Sequence, residues 1–270
     1  MNSARSFLFV PGDRPERFDK AVAAGADCTI LDLEDAVRPE DKEAAREHIR
    51  SWLAAGHRAA IRINPVGTSF HQGDLEIAAM PGVTAVLLPK AETAQDCRDV
   101  LGLMAAGVVL LPLIETARGL LSAPDIAAVD GVVRLLFGSV DFQSDCGIAD
   151  DADGLRHARS ALVIASAAAG IAGPVDGVTL ALDDAEQLNR DCQSARGLGM
   201  AGKLCIHPRQ VAQVHAGFAP TRTEIDAARR IVDAADMPGA KGALRLDGKL
   251  IDQPVIDRAR RVLDQVAAEA

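Results

Sequence analysis

Short apolar runs, most of them ending close to a charged residue, recur along this chain and alternate with segments rich in helix-forming residues. The candidate strands are Phe7–Val10, Thr29–Leu33, Ala59–Ile63, Val86–Leu88, Val108–Ile114, Leu135–Phe137, Val175–Leu180 and Leu204–Ile206. The candidate helices include Arg17–Ala24, Pro39–Ala55, Ala94–Ala105, Gly119–Val129, Gly154–Gly170, Ala185–Gly199 and Pro208–Gly217. About eight strands alternating with helices over roughly 250 residues is the period of a (β/α)8 TIM barrel. Because catalytic groups of that fold lie at the carboxyl ends of the strands, we expect the active site among the charged residues that follow them.

The barrel pattern accounts for residues 1–217, and a different pattern follows in residues 218–270. Pro220–Thr223 indicates the start of a helix, with Thr223 as a possible N-cap. Met237–Pro238–Gly239 is expected to end that helix. The chain therefore reads as one barrel with an appendage that the barrel itself does not need.

The appendage continues with the sequence LRLDGKLI, two short alternating runs around Asp247–Gly248. This is a strong hairpin pattern, since both turn residues tolerate positive φ. Gln253–Pro254 then leads into a predicted amphipathic helix over Val255–Ala268. We expect a C-terminal helix–hairpin–helix unit.

Composition narrows the class of protein. The chain has 270 residues, 49% of them hydrophobic, and a formal net charge of −9. One barrel accounts for that length, and the acidic balance supplies no clustered basic face for nucleic acid or an anionic membrane. A protein that acts on small molecules is the expectation.

Cysteine usage and the apolar runs bear on the compartment. The five cysteines, Cys28, Cys97, Cys146, Cys192 and Cys205, are scattered and contain no CxxC pair. That pattern predicts neither a disulfide framework nor a zinc site. The apolar segment before Pro11–Gly12 is too short for a signal peptide, and no later run approaches about 18 apolar residues. We expect a cytoplasmic protein.

Two carboxylates, Glu115 and Asp141, end successive predicted strands. Both are hard oxygen donors of the kind that Mg²⁺ prefers, and no His or Cys beside them favours zinc. The alternative is that each carboxylate caps a helix or pairs with a barrel Arg or Lys. Two of them on adjacent strand ends favour a metal site.

Arg62 lies inside an apolar run, where an unpaired guanidinium would be costly. Its partner is either a substrate or an internal carboxylate, Asp32 or Glu34. Strand alternation places Asp32 and Glu34 on one face of the LDLED segment and Asp35 on the other. Lys90, at the next strand end, is a candidate cation for that acidic cluster.

The remaining charged and glycine-rich segments bear on phosphate binding and on catalysis. Arg14, Arg17 and Lys20 lie on a loop that runs into a helix, where they form a plausible phosphate site. His207 is interpreted as structural rather than as a base. No P-loop spacing surrounds the GLGMAGK segment, and no GxSxG motif surrounds Ser139.

Eight motifs occur in one order along the chain: FVPGDRPERFDKA, LDLEDAV, RINP, LLPKAET, LIETARGL, FGSVDF, GKLCIHPRQV and LDGKLIDQPVIDRA. In this the chain resembles the citrate lyase β-subunit-like family, which includes malyl-CoA, citramalyl-CoA and citryl-CoA lyases. The resemblance covers nearly the whole chain. It implies a (β/α)8 barrel that assembles into a homotrimer or hexamer and uses Mg²⁺ to make or break a carbon–carbon bond next to a CoA thioester.

The resemblance also implies roles for individual residues. Glu115 and Asp141 match the metal ligands, with Glu115 also next to the substrate, and Arg62 matches an arginine that contacts substrate and stabilises the thioester enolate. Arg14 and Lys20 match, more loosely, the stretch that approaches the CoA phosphates. Asp252 matches an aspartate that the C-terminal appendage delivers into the active site of a neighbouring subunit, where it would act as general acid and base.

The implied reaction converts a 3-hydroxyacyl-CoA into acetyl-CoA and a 2-oxo acid such as glyoxylate, pyruvate or oxaloacetate. Three alternatives remain open at this point: an acyl-CoA thioesterase of the same fold, the β subunit of a multisubunit citrate lyase, and a non-catalytic acyl-CoA-binding barrel. The sequence does not identify the acyl group, because a pocket discriminates one methyl by only ~1–3 kcal/mol and no motif fixes the loops that line it.

Overall fold

Eight parallel strands close into a barrel in the computed structural model, which describes residues 1–150, 152–237 and 243–267. The strands are β1 Ser6–Pro11, β2 Cys28–Asp32, β3 Ala59–Arg62, β4 Val83–Leu88, β5 Val109–Ile114, β6 Leu136–Phe137, β7 Val175–Asp176 and β8 Gly202–Cys205. Each strand pairs with the next along the chain, and β8 pairs with β1. The predicted (β/α)8 barrel is confirmed.

Helices follow the strands and surround the barrel. They are α1 Phe18–Ala23, α2 Lys42–Ala54, α3 His71–Ala78, α4 Ala94–Leu101, α5 Ala117–Ala127, α6 Ser139–Cys146, α7 Arg156–Ala169, α8 Ala185–Leu198 and α9 Arg209–Phe218. Short 3-10 turns precede α1 and α2, at Pro15–Arg17 and Pro39–Asp41. Every helix in the described residues is too short or too polar to span a lipid bilayer.

Strand alternation divides the apolar core into two layers. Phe7, Ile30 and Leu111 belong to a cluster inside the barrel. Leu31 and Ile61 belong to a larger cluster between the strands and the helices. The strands are apolar on both faces because a parallel barrel buries both, which is why they read as continuous apolar runs.

Helices α3 and α6 lie outside the segments predicted from sequence. Both are short and polar, and α6 buries only Ser139 and Phe142. Strand β7 is shorter than the predicted Val175–Leu180, because the chain beyond Asp176 bonds to helices instead of strands. Thr179 donates its hydroxyl to Asp191, and its carbonyl accepts from the Gln210 side chain.

The chain divides into two compact units, Met1–Phe218 and Ala219–Ala270. The second is the C-terminal unit. It contains α10 Arg222–Ala235, the hairpin strands β9 Leu244–Leu246 and β10 Lys249–Ile251, and α11 Gln253–Ala267. The hairpin prediction is confirmed, with Asp247 and Gly248 at φ values of 51° and 77°.

The predicted N-cap at Thr223 is wrong. Thr221 is the N-cap of α10, and it forms a reciprocal capping box with Glu224. Thr223 is the second residue of the helix, two residues after the N-cap, so it does not hold the position from which a side chain caps the first turn. The predicted stop at Pro238–Gly239 and the last predicted residue of α11, Ala268, lie outside the described residues.

Candidate active site

A cavity of about 390 Å³ opens at the carboxyl ends of the barrel strands. Its polar lining comes from residues at or after the ends of β2, β3, β5 and β6, and its apolar lining comes from strand residues and from the segments that follow them. The lining residues are Phe9, Pro11, Asp32, Asp35, Ala36, Arg62, Leu113, Glu115, Phe137, Gly138, Ser139, Val140, Asp141, Val178, Leu204 and Ile206. The fold therefore brings Arg62, Glu115 and Asp141 together in one cavity.

Arg62 ends β3 directly beside Asp32, which ends β2. Its Nε and Nη2 donate to the two Asp32 carboxylate oxygens at 2.7 and 2.5 Å. Its Nη1 lies 2.9 Å from Glu34 Oε2, an ion pair without the alignment of a hydrogen bond. The guanidinium also lies over the Phe9 ring, 4.7 Å from the ring centroid. Of the two partners that the sequence allowed, the structure shows the internal carboxylates.

These pairs fix the charge and position of Arg62. Burial lowers the pKa of Arg62, but the attraction of Asp32 and Glu34 outweighs burial, and the net shift is upward. Asp35 also lines the cavity, contrary to the alternation predicted for LDLED, because β2 ends at Asp32 and the alternation does not continue.

Glu115 follows β5 and is 2% exposed. Its Oε1 accepts a hydrogen bond from the backbone N–H of Lys90 at 2.8 Å. Burial, followed by repulsion from Glu34, raises the pKa of Glu115 to about 8. This carboxylate is held in a place where its negative charge is costly without a nearby cation.

Lys90 supplies such a cation. The sequence predicted it as a partner of the acidic cluster that includes Glu34, and it lies near both Glu34 and Glu115. Its Nζ lies 3.3 Å from Glu34 Oε1, 3.8 Å from Glu115 Oε1 and 3.9 Å from Asp141 Oδ1. Lys90 adopts a left-handed backbone conformation, with φ of 48°, which is uncommon for residues other than Gly, Asn or Asp. Such strain is often found at functional sites, where the surrounding structure enforces it.

Asp141 lies in the first turn of α6 and not at the end of a strand as predicted. Strand β6 ends at Phe137, Gly138 is the N-cap residue, and α6 begins at Ser139. The carboxylate still faces the cavity, with its side chain 44% exposed. Within the described residues, no group of three or more His, Cys, Asp or Glu side chains is arranged as a metal site.

Gly138 passes very close to Glu115, since a Cβ added at Gly138 would lie 2.5 Å from both Cβ and Oε2 of Glu115. We expect Gly138→Ala to lower the free energy of unfolding by about 1–3 kcal/mol, the usual cost of overpacking. Urea unfolding of both proteins measures the change. The control is Gly197→Ala, in a helix with nothing within 4 Å, which should stabilise by roughly 0.5–1 kcal/mol. Equal stabilities for Gly138→Ala and the parent would rule out this close approach in solution.

The other candidate residues are not among those that line the cavity. Arg14, Arg17 and Lys20 are exposed, and none of the three is among the cavity-lining residues. Asp252 belongs to the C-terminal unit, immediately before α11, and its Oδ1 accepts from the Val255 N–H. His207 Nδ1 accepts from the Arg209 N–H at the start of α9, which agrees with a structural role.

Comparisons with known proteins bear on the family. A model described as HpcH/HpaI aldolase/citrate lyase matches residues 5–208. A citrate lyase subunit beta-like protein of Mycobacterium tuberculosis is 38% identical over 264 residues, 95% of this chain and 93% of that protein. A (3S)-malyl-CoA thioesterase of Cereibacter sphaeroides is 35% identical over 274 residues, 98% of this chain and 95% of that protein.

A solved structure agrees with these matches. The crystal structure of protein CitE from Mycobacterium tuberculosis in complex with magnesium, acetoacetate and coenzyme A matches this chain with a TM-score of 0.86 and 36% identity. The match covers 99% of this chain and 100% of that one. The resemblance predicted from the motifs is confirmed, and with it the assignment to the lyases. This chain belongs to the HpcH/HpaI aldolase/citrate lyase family.

Proposed function

We propose that this protein is a magnesium-dependent carbon–carbon lyase. Its substrate would be a 3-hydroxy-dicarboxyl-CoA thioester, such as malyl-, citramalyl- or citryl-CoA, and its products acetyl-CoA and a 2-oxo acid. The observation that carries the proposal is one cavity that is lined by Arg62 together with two carboxylates, Glu115 and Asp141. The same residues would serve the synthetic direction.

The donor set of the cavity fits a hard divalent cation. The Lys90 ammonium group lies between Glu115 and Asp141, under 4 Å from an oxygen of each, so this position suits positive charge. Mg²⁺ usually takes one or two carboxylates and completes its octahedron with water and substrate oxygens, so two protein ligands suffice. When bound, Mg²⁺ supplies a Lewis acid that polarises the oxo-acid oxygens.

Arg62 is suited to stabilise the thioester enolate. A guanidinium has five N–H bonds, and the hydrogen bonds to Asp32 engage two of them, on Nε and Nη2. The second N–H of Nη2 and those of Nη1, which is also ion-paired with Glu34, remain for a substrate oxygen. Because the side chain is already fixed by its carboxylate partners, it needs no reorganisation as negative charge develops on that oxygen.

The amino end of α6 is suited to receive the carboxylate of the oxo acid. Ser139, Val140 and Asp141 form the first turn of this helix and line the cavity. The residue before them, Gly138, has no side chain to cap their backbone N–H groups. Free N–H groups at a helix start attract anions, and here they lie beside the residues proposed to bind the cation.

The proton transfer is proposed for Asp252, delivered by the appendage of a neighbouring subunit in a trimer or hexamer. In synthesis, Asp252 would take a proton from the acetyl-CoA methyl group, the resulting enolate would attack the oxo carbon, and the alkoxide so formed would take a proton from water. In cleavage, the hydroxyl would lose its proton to water as the carbon–carbon bond breaks, and Asp252 would return a proton to the enolate carbon. Arg14 and Lys20, which are exposed, would contact the CoA phosphates.

A thioesterase is the second candidate, favoured by the malyl-CoA thioesterase relative. Incubation of malyl-, citramalyl- and citryl-CoA with the protein and Mg²⁺ separates the candidates. A lyase releases the 2-oxo acid with acetyl-CoA and no free thiol, whereas a thioesterase releases free CoA. Turnover that requires added citrate lyase subunits would identify a β subunit, and no turnover under any condition would leave a binding protein.

Removal of the cation or of one ligand should abolish turnover. We expect EDTA, or Glu115→Gln in the presence of Mg²⁺, to lower the turnover number by about 100-fold or more. The amide keeps the shape of the side chain but loses its charge, so calorimetry should also show loss of Mg²⁺ binding. The control is Glu186→Gln, whose side chain is 90% exposed on α8. Full activity in EDTA would exclude the proposed role of the metal.

A further inference from the structure

Asn64 follows Arg62 by two residues, and the hydrogen-bonding groups of its backbone and its side-chain amide contact two other segments, helix α3 and the turn after β2. Its backbone N–H and its Nδ2 donate to Asp74 Oδ2 at 2.7 and 2.6 Å. Its Nδ2 also donates to the carbonyl of Leu33 at 2.8 Å. Its own carbonyl lies 2.8 Å from His71 Nδ1, which must carry the proton because a carbonyl only accepts.

The turn after β2 is held by further hydrogen bonds. The Leu33 carbonyl also accepts from Lys42 Nζ at 2.7 Å, and the Glu34 carbonyl accepts from that nitrogen at 2.9 Å. The Leu33 N–H donates to the Arg62 carbonyl at 2.9 Å. The turn that follows Asp32 and carries Glu34 is therefore joined to the Arg62–Asn64 segment at Leu33, through both the N–H and the carbonyl of that residue.

Asp74 anchors this arrangement from α3, the helix that the sequence pattern did not predict. It is 0% exposed, and its second oxygen accepts from Arg46 Nε at 2.8 Å. A buried carboxylate with a charged donor on one oxygen and two neutral donors on the other is a rigid acceptor, since losing a donor costs more in a buried site than in water. Asn64 is thus fixed in orientation and in position.

We infer that Asn64 is a positioning residue that sets the geometry between Arg62 and the carboxylates Asp32 and Glu34, with Asp74 fixing Asn64 in turn. The inference rests on the proposed function of Arg62. Neither Asn64 nor Asp74 is among the residues that line the cavity, so each acts through Arg62 and not on the substrate. Misplacement of a reacting group by about 1 Å is enough to cost on the order of 100-fold in rate.

The test is Asn64→Ser, which removes the Nδ2 donor and leaves the backbone N–H bond to Asp74. We expect turnover to fall about 10- to 100-fold, while the Mg²⁺ affinity measured by calorimetry stays within about 2-fold. We also expect a change in the NMR signal of the Arg62 Nε–H, which is identified by its absence in Arg62→Lys. A second variant serves if Asn64→Ser does not fold. Lys42→Met keeps the side-chain volume but removes the hydrogen bonds to the Leu33 and Glu34 carbonyls, and it should move the same signal.

The matched control is Asp27→Asn at the opposite end of the barrel. Asp27 accepts from two backbone N–H groups, of Arg5 and Ser6, so its loss should also lower stability. Its variant should leave turnover and the Arg62 signal unchanged. Equal loss of turnover in both variants, or an unmoved Arg62 signal in Asn64→Ser and Lys42→Met, would overturn the inference. If the parent protein turns over none of the thioesters, the proposed function fails while the NMR comparison still decides the positioning role.

Discussion

Asp252→Asn is expected to bind Mg²⁺ and the CoA thioester almost normally and to lose about 100- to 10,000-fold of turnover. General acid–base groups contribute factors of this size, and an amide keeps the shape of the side chain but cannot exchange a proton at useful pH. Stopped-flow or steady-state release of the 2-oxo acid measures the rate, and calorimetry measures binding. A variant that keeps its turnover would remove Asp252 from the mechanism.

Mixing two inactive variants tests whether Asp252 acts on a neighbouring subunit. Subunits with Asp252→Asn keep an intact barrel, and subunits with Glu115→Gln keep an intact appendage. Under conditions that allow subunit exchange, some interfaces combine both intact parts, so activity should return in part. A mixture that stays inactive despite demonstrated exchange, or a fully active monomer, would contradict the assignment.

Arg62→Lys is expected to lower turnover by about 100-fold or more while the apparent affinity for the thioester changes by less than about 3-fold. Removing one preorganised donor to a developing oxyanion typically costs about 100- to 1,000-fold. An ammonium cannot repeat the two parallel bonds to Asp32, pair with Glu34 and still present planar N–H groups to the substrate. The comparison of turnover with affinity separates transition-state stabilisation from simple binding.

The control for this variant is Arg159→Lys. Arg159 is also buried and donates its Nε to a carboxylate, Asp176, at 2.7 Å, but neither residue lines the cavity. This variant should lose stability and keep turnover. If Arg62→Lys instead kept its turnover and lost only affinity, Arg62 would be a binding residue or a structural ion-pair partner.

The sequence was most informative where local rules apply. The apolar run around Arg62 predicted a partner for its guanidinium, with Asp32 and Glu34 as the internal candidates, and both contact Arg62. The Asp247–Gly248 turn was predictable because its backbone geometry restricts the residues that fit. Charged residues after apolar runs located the cavity, since a parallel barrel brings all carboxyl strand ends to one face.

The remaining features depend on contacts between segments distant in sequence. Helix α3 has little apolar periodicity, so the sequence did not predict it. Its Asp74 can be buried because Arg46 and Asn64, from other segments, donate hydrogen bonds to its carboxylate. Asp141 reads as a strand-end residue because β6 is only two residues long and the helix starts directly after Gly138. No local pattern reports either arrangement.

The hydrogen bonds of Asp27 and the cavity lie at opposite ends of the barrel strands, so the two ends can change separately over evolutionary time. At the amino end, Asp27 joins the starts of two strands to His215 of α9. Substitutions there alter stability without reaching the reacting groups, so stability gained at that end can compensate for costly changes in the loops around the cavity. Substrate range and robustness can therefore be altered largely independently, by natural selection or in the laboratory.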